Sequence, residues 1–435
     1  MASVILGEWT HRRGDPGGAR AVPAEIDKPR PKVTWSWRPE HGGRVDQVRI
    51  AAQNLLVATM MPRDATAPGW EHAVVYAIDL RTGTEVARRV LPDPVPVAAM
   101  VVGAGVLNVV ATRKGEPIFW YGLSVAELTP CHRHVIGIEP DARHEDVLEA
   151  WASADGGLWL EVDAVVPASG RRVLAHAFAT SSGAQLVSPL EEGVVAEGAP
   201  LARDGCARGL ELFSPVPGSW TLEGAVPPAV SRLSAAASED PRQTAWATAT
   251  LVGPRAQIHT LGAEGTVYVV AAADDPERPE RASVEAFAVD QESSVVRWRT
   301  QGEPFAVKPR LGEIARIARR PCGELLFQSL GADGAPCTPL VCARPDGRLD
   351  VVTLGIRGRY VLDAALGDTV LAHREREGRV EVGGFAIDRQ GRLLGRRAAL
   401  QWTADTGDLG GGTTVYAGAG AVVVRGTRAV CAVTL

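Results

Sequence analysis

The densest grouping of potential ligands is Cys131-His132-Arg133-His134, one thiol and two imidazoles within four residues. Cysteine and histidine are the donors that hold zinc and other late transition metals. On a strand, His132 and His134 share one face while Cys131 takes the other, and a fourth ligand is not obvious nearby. A surface strand or turn is therefore the simpler reading. His144-Glu145-Asp146 and Asp274-Asp275 offer carboxylates for acid–base work or calcium binding. The first opens the stretch His144 to Ala152, whose spacing predicts a short helix, and acids suit a first helical turn. The second sits in Asp274-Asp275-Pro276-Glu277-Arg278-Pro279-Glu280, the composition of a solvated hairpin tip. Cys322, Cys337 and Cys342 fall in one candidate sheet unit and read as packed thiols. Gly410-Gly411-Gly412 precedes a strand, with neither a helix nor a lysine behind it, so it is a turn and not a phosphate loop.

The elements that position these residues follow one recurring pattern from residue 33 onward. A Val- or Ala-rich run carries an aromatic, ends in a polar turn, and is followed by a second short run. Val74-Val75-Tyr76-Ala77-Ile78-Asp79-Leu80-Arg81-Thr82-Gly83 shows it best, with further copies at Val284–Asp290 and Val382–Gly391. The alternation and β-branched content predict strand, turn, strand. Asp290 and Asp388 lie 98 residues apart, two units of 49, and units of about 40–55 residues have the size of a four-stranded propeller blade.

Strands of this kind near 76, 121, 177, 213, 287, 341, 385 and 431 predict an all-β, single β-propeller with eight four-stranded blades. Seven is the alternative if the 36-residue interval from 177 to 213 and the 74-residue interval from 213 to 287 are misread. The Ala-, Ser- and Pro-rich stretch within 225–245 is expected to be an extended inter-blade loop. The chain finishes on a hairpin, Ala421–Gly426 and Ala429–Leu435, and lacks an outer strand after it. Val33-Thr34-Trp35-Ser36-Trp37 has the character of that missing strand, so the N-terminal strand is expected to complete the last blade and close the ring.

Residues 1–31 form a polar, Pro-punctuated stretch expected to be a flexible tail, with 32–435 the propeller. The formal charge of −5 and the hydrophobic fraction of 46% exclude a disordered chain and a polybasic nucleic-acid arm. No apolar run approaches the roughly 18 residues of a membrane span. The N-terminus has no signal-peptide pattern and the cysteines have no disulfide spacing, so a cytoplasmic location is expected. Four Lys leave 42 of the 46 basic residues as Arg, dispersed along the chain, as a GC-rich bacterial genome would encode.

Tyr-Ala-Ile-Asp-x-x-Thr-Gly-x-x-Val at 76–86, with the Phe-Ala-x-Asp copies at 287–290 and 385–388, resembles the repeat signature of the quinoprotein-like β-propellers. The resemblance implies the scaffold. Its alcohol- and sugar-oxidising members bind pyrroloquinoline quinone and calcium in the propeller centre, and the alcohol-oxidising type pairs two adjacent cysteines. This chain has no adjacent cysteines. The expectation is therefore the non-catalytic branch: a scaffold that binds another protein, with no cofactor, no metal and no nucleic-acid or membrane partner. The docking candidates are Val4, Ile5, Leu6 and Trp9 in the tail, and Arg63, Trp70 and His72 around the span 59–71. The alternatives are an enzyme or small-ligand binder using the central channel, quinone-dependent dehydrogenase-like, and a carbohydrate-binding module. A carbohydrate module would cluster some of the eleven Trp on one exposed face; packing between blades is the simpler use for them.

Overall fold

In the computed structural model, every regular element among the described residues is a β-strand, and the strands group into eight four-stranded antiparallel blades. The described residues are 21–22 and 31–434, apart from 41, 61–71, 138–142, 154–155, 167–170, 181–182, 187–205, 209, 217, 222–223, 237–241, 254–255, 276, 278–281, 301–313, 321, 330–338, 355–359, 368, 387–395 and 419–420.

Blade 1 runs Arg44–Ala51, Asn54–Met60, Ala73–Asp79, Glu85–Val90. Blade 2 runs Val97–Gly103, Val106–Ala111, Ile118–Ser124, Pro130–Ile136, and blade 3 runs Arg143–Ala152, Leu158–Val166, Arg171–Thr180, Gly183–Leu186. Blade 4 is Cys206–Arg208, Glu211–Val216, Ala229–Ser234, Arg242–Thr248, with a small hairpin, Ser219–Thr221 and Gly224–Val226, inserted at its second turn. Blade 5 is Gln257–Ala263, Thr266–Asp274, Ala282–Asp290, Val296–Arg299, and blade 6 is Ile314–Arg319, Leu325–Ser329, Pro339–Ala343, Leu349–Leu354. Blade 7 is Val361–Leu366, Thr369–Arg376, Arg379–Ala386, Arg396–Gly407. Blade 8 takes Thr414–Gly418, Ala421–Arg425 and Val430–Thr434 from the C-terminus, and Lys32–Trp37 from the N-terminus.

The closing pair has the register Val33↔Val433, Trp35↔Ala432, Trp37↔Val430. The expected closure by the N-terminal strand is thus the observed one. First strands of successive blades are neighbours around the axis from blade 6 through blades 7, 8 and 1 to blade 5.

The core is a ring of layers between blades. One apolar cluster joins blades 1 and 2, another blades 2 and 3, and so on round the ring, with one large cluster spanning blades 7, 8 and 1. Sheets covered on both faces bury nearly every inner residue, which is why the second strand of blade 1, Asn54–Met60, and that of blade 5, Thr266–Asp274, are continuous apolar runs.

The repeat signature has a local cause. Asp79 Oδ1 accepts from the Arg81 and Thr82 amides (3.0 and 2.7 Å) and from the Thr82 hydroxyl (2.8 Å), folding the third strand back into the fourth. Asp290 repeats this with the Glu292 and Ser293 amides (3.1 and 2.9 Å) and the Ser293 hydroxyl (2.9 Å). Asp388 lies outside the described residues.

Two expectations are corrected. His144 to Ala152 is the first strand of blade 3, not a helix. Two bulges, at His144/Asp146 and Val147/Glu149, shift its register. Residues 147–153 are buried without a break, Glu149 included, so the strand does not show the alternation of a half-buried one. The stretch 225–245 is not one extended loop, because it contains the third strand of blade 4 and the start of its fourth. The run near 213 is a second strand. With 231 as the third-strand marker, the intervals become 231 − 177 = 54 and 287 − 231 = 56, so eight blades of even length result.

Candidate functional site

First strands place side chains around the central channel. A cavity of about 460 Å³ opens there beside blades 8, 1, 2 and 3. It is lined by Gln47 and Arg49 of blade 1, Thr112 of blade 2, Asp146 and Glu149 of blade 3, and Thr414, Tyr416 and Arg425 of blade 8. Gln47 donates to the Ala98 carbonyl (3.4 Å) and Arg49 Nη1 to the Val48 carbonyl (2.6 Å). Arg425 Nε is enclosed and makes no hydrogen bond to the described residues. Burial raises the carboxyl of nearby Asp46 above its ordinary pKa, against the opposing pull of Arg44 and Arg425. Guanidinium, carboxylate and hydroxyl groups together suit a small polar ligand.

Two residues, Ala21 and Val22, add to the sheet of blade 7. Ala21–Val22 pairs in parallel with Ala365–Leu366, along the channel-side edge of the first strand of blade 7.

Buried titratable groups sit between and within blades. Glu161 and His176 face each other on blade 3, Oε2 to Nε2 at 3.3 Å, and Ser214 of blade 4 approaches the same Nε2 at 3.1 Å. In a nucleophilic relay the acid orients the far nitrogen while the hydroxyl meets the near one. Here both converge on one nitrogen, and Nδ1 has no hydrogen-bond partner among the described residues. The residues are buried, which makes the trio an inter-blade polar contact. On blade 7, Asp363 Oδ2 lies 2.7 Å from His373 Nδ1, also buried. Gln328 of blade 6 donates to the Tyr360 carbonyl (2.6 Å) and accepts from the Leu362 amide (2.8 Å), tying blade 6 to blade 7.

Among the described residues no group of three or more His, Cys, Asp or Glu could hold a metal ion. Cys131-His132-Arg133-His134 lies on the outermost strand of blade 2, with Cys131 exposed and both histidines half-buried against Trp120. Burial, and then the neighbouring His134, lower the pKa of His132. Arg133, on the other face, is held by Asp93 at 2.8 and 3.0 Å. Asp93 also accepts from the Tyr121 hydroxyl.

Of the docking candidates, His72 is half-buried, with Nδ1 2.7 Å from the Leu91 carbonyl, so it is engaged in the packing of blade 1. Val4, Ile5, Leu6, Trp9, Arg63 and Trp70 lie outside the described residues. Asp274-Asp275 stands at the turn between the second and third strands of blade 5, the predicted hairpin tip. Cys342 is buried and Cys322 exposed; Cys337 lies outside the described residues. Of the Trp side chains whose burial is described, Trp120, Trp151, Trp159 and Trp246 are buried, and Trp35, Trp37 and Trp298 half-buried. These seven serve in packing between and within blades.

The sequence reading missed the rim. Val33 of blade 8 is 36% exposed, Val86 and Val90 of blade 1 are 54% and 49%, and Val135 of blade 2 is 55%. All four lie on outermost strands of three consecutive blades, each of which has a neighbour on one side only. Val295 and Val296 stand equally exposed at the start of the outermost strand of blade 5. The signal for these was Val at outer-strand positions, which cannot be told from core Val until the strand's place in the blade is known.

No protein-family model and no curated protein matches the chain. Among solved structures it is similar to BamB from Moraxella catarrhalis, at 11% identity over 94% of this chain and 98% of that one, with a TM-score of 0.45. It is similar to a europium-containing methanol dehydrogenase, at 12% identity over 97% and 90% of the two chains, with a TM-score of 0.45. It is also similar to Kluyveromyces lactis Hsv2, at 9% identity over 81% and 95%, with a TM-score of 0.43. A quinohemoprotein alcohol dehydrogenase from Pseudomonas putida also stands among these matches, and the eight-bladed propeller assignment itself rests on the strand pairing above.

Proposed function

We propose that this chain is a non-enzymatic cytoplasmic scaffold that docks a protein partner on the outer rim of blades 8, 1 and 2. The observation that carries the reading is the run of half-exposed valines, Val33, Val86, Val90 and Val135, on consecutive outermost strands. Apolar side chains beside unpaired strand edges invite association, and natural sheets usually blunt such edges with charge. The test is affinity purification from the native host with the wild-type chain and with Val86→Asp/Val90→Asp, followed by mass spectrometry. Because both positions are exposed, the substitution is expected to leave the fold intact. A stoichiometric partner retained by the wild type and lost by the variant is the expected result. A lone chain carrying a quinone-like absorption or tightly held calcium would overturn the reading.

A second reading has its own observation. The channel cavity, with the enclosed Arg425 Nε at its wall, favours a small polar ligand. Native mass spectrometry of the purified chain separates the two, since a retained small molecule lost on Arg425→Met supports the channel and not the rim.

A further inference from the structure

We propose that His132 and His134 form a two-imidazole seat for a late first-row divalent metal ion in the seam between blades 2 and 3. The two residues stand two apart on the outermost strand of blade 2, so they share a face, and their rings lie 5.0 Å apart at 34°. The Nε2 of each ring is enclosed and has no hydrogen-bond partner among the described residues. Buried polar nitrogens in native proteins are nearly always partnered, so two adjacent ones left open call for an occupant. The indole above them is not that occupant, because Trp120 Nε1 donates to Asn108 Oδ1 at 2.9 Å.

The strand beneath makes room for the pair. His132 is the cross-strand partner of Gly122, and a Cβ on Gly122 would lie 2.2–2.7 Å from three atoms of the imidazole. Glycine weakens a strand interior and marks places where another group approaches closely. Here the approaching group is the His132 ring. The opposing face of blade 3 belongs to the same apolar layer, with Leu160, Val162 and Ala179.

The donor set decides the ion. Neutral imidazoles without carboxylate or thiolate suit copper, nickel and zinc and not calcium or magnesium, and copper heads the affinity order.

The test uses the untagged full-length chain and copper(II), nickel(II) and zinc(II) chlorides as probes. Equilibrium dialysis against each metal is compared between the wild type and His132→Gln/His134→Gln. The expected result is one more equivalent bound by the wild type, held at least tenfold more tightly than any ion on the double variant. Its melting temperature should rise with metal, and the variant's should not. Equal uptake by both chains would mean adventitious binding and would overturn the proposal. If the double variant fails to fold, electron paramagnetic resonance of the wild type with one equivalent of copper(II) decides. Nitrogen hyperfine structure from two imidazoles, reduced in each single variant, supports the seat, and its absence overturns it.

Discussion

Trp35 donates its indole N–H to the Leu80 carbonyl at 2.8 Å, so the strand that closes the ring is also fastened to the blade across the seam. The turn after Leu80 is shaped around that ring. Gly83 has φ +74°, and a Cβ there would lie 2.5–2.9 Å from three Trp35 side-chain atoms. Gly83→Ala therefore combines left-handed strain with a clash, and should cost about 1–3 kcal/mol of stability. In a Trp35→Ala background the two ring-atom clashes disappear, leaving the strain and the 2.9 Å approach to the retained Cβ. A double-mutant cycle by urea denaturation should thus show the two changes to be less than additive. Additive losses would mean that the ring and the turn do not meet in solution.

The closing strand carries a second expectation. Without Lys32–Trp37, the edge of Val430–Thr434 loses its partner, and four of that strand's five residues are buried core. An unpaired apolar edge is a template for pairing with another chain. A chain beginning at residue 38 should melt lower than the full chain and self-associate. Light scattering after size exclusion reads this directly, and a monodisperse monomer of unchanged melting temperature would show that the ring does not depend on the N-terminal strand.

Much of this architecture was legible because the third-to-fourth turn is chemically specified. Asp79 and Asp290 cap their own turns with the same three contacts, and that recurs in sequence as Asp followed three residues later by Thr or Ser. Blade 4 was misregistered because its first strand is only three residues long, Cys206–Arg208, and a hairpin interrupts it before its third. The first strand of blade 3 was misread because two bulges break its register and its residues 147–152 are buried without alternation. The rim was illegible for another reason. Val86 and Val90 alternate with Ala87 and Arg89 just as core valines do, and exposure depends on having a neighbouring strand on one side only. Sequence periodicity does not encode that position within the blade.

Ser214, His176 and Glu161 hold the residue types of a hydrolytic relay but not its order. Serine and glutamate meet the same imidazole nitrogen, so the acid cannot orient the base toward the hydroxyl. The trio is also buried between blades 3 and 4. A fluorophosphonate probe should therefore fail to label Ser214, and Ser214→Ala should change the melting temperature without changing probe reactivity. Stoichiometric labelling at Ser214 would overturn the assignment and reopen the enzymatic reading.

The turn carboxylates give the fold a defined response to acid. Asp290 lies well below its ordinary value of 3.8, held there chiefly by the Ser293 amide, then by the Arg297 guanidinium and the Ser293 hydroxyl. Asp79 is lowered as well, first by the Thr82 hydroxyl. A carboxylate whose folded pKa is depressed binds fewer protons folded than unfolded, so its stabilisation is complete above the unfolded pKa. That stabilisation is lost as the pH falls through the folded value. Asp290→Asn keeps an oxygen for the turn and removes the charge. Its deficit in melting temperature relative to the wild type should stay constant from neutral pH down to about 5 and close as the pH falls below the ordinary carboxylate range. The residue is on the surface, so the deficit should also shrink with added salt. A deficit that persists unchanged in acid would assign the loss to the turn geometry of asparagine and not to the charge.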